Sequence, residues 1–145
     1  MKLHVTKYLF LLLITSILFS CKPTTNIINE GEGWILLGEE KVNHIRESDV
    51  ISIRTQDTFT ALRIYVKGRN VTKLSMKIHL INGDILQPML EKRINADDRS
   101  RIVEIAADGR QLDHIELRYR SEGSIFTKRG VVQLLGRRYN PNRQY

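Results

Sequence analysis

A few arginines, histidines and one cysteine are the side chains here whose types and spacing could do chemistry. Arg118 and Arg120 are two apart, so on a strand they share a side, with Tyr119 between them and Arg110 upstream. Guanidinium groups in such a row suit phosphate or carboxylate oxygens, which they bind as a fork. Lys128-Arg129 and Arg137-Arg138 add further basic pairs, with Tyr139 and Tyr145 nearby. The plainer role for the same residues is to solvate an outer face and discourage edge-to-edge pairing.

The histidines His44, His79 and His114 are widely spaced, and His79 and His114 fall on the polar parity of their segments. That spacing predicts no metal site. Asp97-Asp98, with Asp108 further on, reads as turn chemistry rather than a calcium loop. There is no Gly-x-Ser-x-Gly elbow, no His-Glu-x-x-His and no phosphate-cradling glycine loop. No catalytic residue and no cofactor is therefore expected. Trp34, the single tryptophan, lies in an apolar run between glycines, which favours a core position over sugar stacking.

Cys21 is the only cysteine, so no disulfide can form within the chain. It follows a cationic start (Lys2, Lys7) and an uncharged apolar run from Tyr8 to Phe19, which is shorter than the roughly 20 residues that span a bilayer. Leu18-Phe19-Ser20-Cys21 resembles a bacterial lipobox, with Ser20 at the small position. The expectation is a lipoprotein signal peptide over residues 1–20 and a lipidated Cys21. Lys22, rather than Asp, after the cysteine leans towards the outer membrane. Loss of Lys2 and Lys7 with the leader takes the 23 Lys and Arg to 21 against 16 Asp and Glu, and the formal charge from +7 to +5. Nucleic-acid binding could use the same charge, but export makes it a poor match.

These side chains need elements to hold them. Residues 21–33 are polar and rich in Pro, Thr, Asn and Gly, and read as a tether. Residues 34–136 repeat with a period of two. The spacing predicts strands at Trp34–Leu37, Asp49–Arg54, Ala61–Lys67, Lys73–Ile81, Asp84–Leu90, Arg101–Ala106, His114–Arg120 and Val131–Leu135. Asn82-Gly83 marks a hairpin, and Pro88 an edge or a bulge. Glu39 to Arg46 could form a turn or two of helix, and the basic tail 137–145 is expected to fray. About eight short strands imply an all-β, antiparallel β-sandwich, with a small β-barrel as the alternative closure.

Several of these features recur together: Trp34 with Leu36-Leu37-Gly38, Asp49 opening a strand, Gly109-Arg110 before Ile115, Tyr119 and Ser121, and Val132-Gln133-Leu134-Leu135-Gly136 at the end. The set resembles the YaaI-like proteins, a family of small exported bacterial β-domains of unknown function. That resemblance implies an envelope β-domain and brings no activity and no catalytic residues.

The expected role is a non-catalytic binding domain, held at the bacterial envelope by its N-terminal lipid and facing the periplasm. Arg110, Arg118 and Arg120 are its candidate anion-binding residues, for an anionic glycan, a lipid or a protein partner. The competing classes are a structural or assembly subunit of an envelope complex, and an enzyme whose site is gathered from residues distant in sequence.

Overall fold

Alternation of apolar and polar side chains gives each long strand one buried row, and two sheets bury those rows against each other. The computed structural model describes residues 33–42, 48–122 and 130–142. They form ten antiparallel strands in a β-sandwich, with no helix among the described residues. The leader, Cys21, the tether as far as residue 32, His44 and Lys128-Arg129 lie outside them.

One sheet is built from β1 (Trp34–Lys41), β10 (Val131–Arg138) and β3 (Thr58–Lys67), in that order. Two short strands, β7 (Asp98–Arg99) and β8 (Val103–Glu104), pair with β3. The other sheet is β2 (Ser48–Ser52), β9 (Arg110–Ser121) and β4 (Val71–Leu80), with β5 (Ile85–Leu86) and β6 (Arg93–Ile94) on β4. Arg110 and Gln111 of β9 pair with Thr58 and Phe59 of β3, so one strand belongs to both sheets.

Phe59, Leu62, Ile64 and Leu134 from the first sheet meet Ile78, Leu112, Ile115 and Leu117 from the second, all fully buried in one cluster. Each such side chain contributes roughly 1.5–3 kcal/mol on burial. Two motif glycines mark close approaches. A methyl group on Gly38 would come within 2.5 Å of Ile51, and one on Gly136 within 2.7 Å of both Leu37 and Phe59. Without a side chain, Gly38 lets β1 approach β2 of the other sheet, and Gly136 lets Leu37 and Phe59 of its own sheet close over β10.

The expected hairpin is present: Leu80 N–H donates to Asp84 O at 2.9 Å, and Gly83 takes φ +91° in the turn. Other segments differ. Glu39–Lys41 continue β1 rather than turning into a helix, because β10 pairs with them and Gln133 donates to Glu39 at 3.0 Å. β5 stops at Leu86, short of Pro88, which has no N–H for a ladder. The expected strand at Arg101–Ala106 is reduced to Val103–Glu104. Just before it, the buried Ser100 hydroxyl accepts from Ile64 N–H and interrupts the pairing with β3. At the C-terminus β10 runs through Arg138, and Tyr139 N–H donates to Thr58 O, so residues 137–139 are held in the sheet rather than frayed.

Candidate functional site

The outer face of the β2–β9–β4 sheet collects most of the chemistry-bearing side chains. On β4 the buried row is Leu74, Met76, Ile78 and Leu80, so Ser75, Lys77 and His79 face outward. On β9 the buried row is Ile115, Leu117 and Tyr119, which turns His114, Glu116, Arg118 and Arg120 outward. Register then pairs His79 with His114, Lys77 with Glu116, and Ser75 with Arg118.

Two bulges frame this face. Between Thr72 and Ser75 strand β4 carries one residue more than β9, and Lys73 there has φ +52°. The extra residue leaves Thr72 and Lys73 both outside before Leu74 returns to the core. A left-handed conformation costs a non-glycine residue about 1–2 kcal/mol. Between His79 and Leu80 the surplus residue is on β9, so Asp113 and His114 both point outward. Bulges commonly re-aim side chains in this way.

At the first bulge, Lys73, Arg118 and Arg120 border a shallow pocket together with Tyr119. Among the described residues, no side chain hydrogen-bonds or ion-pairs with Lys73 or Arg118. Arg110 does not join this patch. It stands eight positions back along β9, roughly 25 Å in an extended strand. There it pairs with Asp108 at 2.5 Å and donates to Gly109 O at 2.7 Å. The hydrogen bond from Arg110 is the main cause that holds the Asp108 carboxyl below its ordinary range. The three candidate anion-binding arginines thus fall in two separate places.

At the second bulge the histidines meet. The rings of His79 and His114 stack with centroids 3.9 Å apart and planes 15° from parallel. His79 Nε2 lies 3.0 Å from Glu116 Oε1, and His114 Nδ1 lies 2.8 Å from Asp113 Oδ2. Lys77 Nζ is 3.9 Å from the other Glu116 oxygen. Spacing along the chain offers no hint of this, because the pairing of β4 with β9 is long-range. The one available signal is that both histidines sit on outward parity of their strands.

The acidic residues of the sequence serve the loops: Asp97 Oδ1 accepts from Gly68 N–H at 3.1 Å, and Asp98 Oδ1 from Arg99 N–H at 2.8 Å. Asp49 has a different task. Its carboxylate accepts a hydrogen bond from the buried Tyr119 hydroxyl, linking β2 to β9. Burial, and then that hydrogen bond, push the Tyr119 phenol well above its ordinary value. Trp34 is 9 % exposed in a small apolar cluster with Ala61 and Leu135, on the outer side of the first sheet. Arg63 and Arg137 cover it, their guanidinium carbons 5.5 and 5.6 Å from the ring centroid.

The family model described as "Domain of unknown function (DUF2541)" matches residues 9–136. The chain belongs to that family. The DUF2541 match starts inside the apolar run before Cys21 and ends on Gly136, the glycine packed against Leu37 and Phe59. No curated protein matches this chain in sequence. Among solved structures it is similar to one described as "Structural and functional characterization of Pseudomonas aeruginosa AlgX". The identity is 13% and the TM-score 0.48, over 75% of this chain and 27% of that one. The chain therefore spans about a quarter of the length of that structure, and the likeness carries no role across.

Proposed function

We propose that this DUF2541 chain is a bacterial envelope lipoprotein whose β-sandwich binds an anionic envelope component without catalysing a reaction. The observation that carries the binding role is the patch at the first bulge. Lys73 is held in a costly left-handed conformation beside Arg118 and Arg120, and neither Lys73 nor Arg118 has a partner among the described residues. Cations gathered at the cost of backbone strain suit an external anion better than solvation alone. The resemblance to YaaI-like exported proteins supports the location. So does a family match that reaches into the apolar run. In this reading residues 1–20 are removed, Cys21 carries the lipid, and residues 22–33 hold the domain a short distance from an outer membrane, on its periplasmic side.

Two experiments test it. Cells fed a labelled fatty acid should label the wild-type protein and not Cys21→Ser; label on the variant defeats the anchor. Lys73→Ser/Arg118→Ser/Arg120→Ser should lose cosedimentation with lipopolysaccharide and with vesicles containing anionic phospholipid, while keeping its melting temperature within a few degrees. Unchanged cosedimentation with an intact fold removes the patch.

A further inference from the structure

The geometry points to a second site on the same face: His79, His114 and Glu116 bind a divalent transition-metal ion of the zinc class. The three side chains come from two paired strands, and one donor atom from each lies within 4.8 Å of the other two. His79 Nε2 and Glu116 Oε1, now 3.0 Å apart across a shared proton, match two bonds of about 2.0–2.1 Å that meet an ion at roughly 95°. An ion replaces that proton without separating the strands.

His114 is prepared by its own neighbour. Asp113 accepts at Nδ1, which leaves the lone pair on Nε2, and a carboxylate behind a histidine is the usual support of a metal ligand. The bulge at Asp113-His114 makes this possible, since regular alternation would bury Asp113. The stacked rings cannot both aim their lone pairs at one ion while 15° from parallel. Binding therefore requires one imidazole to turn about χ2, a soft torsion, with the backbone fixed.

Two nitrogens and one carboxylate oxygen favour zinc, cobalt, nickel or copper over magnesium and calcium, which prefer oxygen alone. Three protein ligands leave a position for water or an anion. Glu116 also lines a groove of about 190 Å³ with Ser75, Lys77, Gln87 and Arg118. Lys77 and Arg118 are the opposing charges: Lys77 sits 3.9 Å from Glu116 Oε2 and Arg118 two residues along β9. They weaken the site for a cation and favour an anion as its fourth partner.

The site stands independently of the anchor and of the Lys73 patch. The test is titration of the full chain with Zn(II) by calorimetry, and with Co(II) by visible absorption. One equivalent should bind, with a cobalt d–d band typical of low coordination. His79→Gln, His114→Gln and Glu116→Gln should each weaken binding at least about 10-fold, and Asp113→Asn about 10-fold. Lys77→Ala should tighten it. Circular dichroism on each variant separates loss of ligand from loss of fold. Absence of one-equivalent binding by folded wild-type protein overturns the proposal, as does zinc binding that survives the triple His79→Gln/His114→Gln/Glu116→Gln change.

Discussion

The two outer faces of the sandwich carry similar arginines and use them in opposite ways. On the β1–β10–β3 face, Arg63 and Arg137 lie over Trp34, and Arg99 lies over Tyr65 at 5.5 Å. Arg137 also donates to Thr60 Oγ1 at 3.0 Å and pairs with Glu104 at 2.8 Å. Those cations close an apolar cluster that the core does not reach. On the β2–β9–β4 face no aromatic ring lies under Arg118 among the described residues, and its cross-strand neighbours are the small Ser48 and Ser75. Arg137 and Arg99 each face a ring directly across the ladder, Trp34 and Tyr65, whereas Arg118 faces only serines.

Substitutions should separate the faces. The largest expected effect is Trp34→Ala, which empties the centre of the first cluster and should cost about 3 kcal/mol in chemical denaturation. A loss below ~1 kcal/mol would show that the first face is as dispensable for folding as the second. Next comes Lys73→Gly, with the opposite sign. It relieves the left-handed strain and should raise stability by roughly 0.5–1 kcal/mol, while weakening binding to anionic vesicles. A destabilised Lys73→Gly protein would mean that the lysine holds the fold rather than a ligand. The smallest effect is electrostatic. Arg110→Ser removes the hydrogen bond that depresses the Asp108 carboxyl, so its NMR titration midpoint should rise towards the ordinary value of 3.8. Because the folded-state midpoint is depressed, this pair stabilises above the unfolded pKa, and the benefit fades as pH falls through the folded midpoint. Asp108 is fully exposed, so the melting temperature near neutral pH should barely move.

Parity was legible from the chain alone. Alternation on Lys73–Ile81 and His114–Arg120 shows that His79, His114, Arg118 and Arg120 point away from the core, and the Asn82-Gly83 turn follows from local chemistry. Neighbourhood was not legible. β4 and β9 pair across the intervening strands β5 to β8, and nothing local in either fixes their register. The two bulges are equally silent, since a single surplus residue barely disturbs a period-two pattern, yet they place Lys73 beside the arginines and Asp113 behind His114. Proximity in sequence groups Arg110 with Arg118, whereas an extended strand turns eight residues into a long distance. Glu39–Lys41 failed differently: a helix-compatible composition yielded to the hydrogen bonds offered by β10.

β9 pairs with β3 at its first residues and with β2 and β4 along the rest. Neither half of the sandwich can open without breaking this strand. Its central amides, around Ile115 and Leu117, should therefore exchange with deuterium only when the whole domain unfolds, and the slow rates of both halves should converge. Any ligand held on the outward side of β9 then acts on the single element whose release limits global opening, so its binding free energy should appear undiminished as resistance to unfolding.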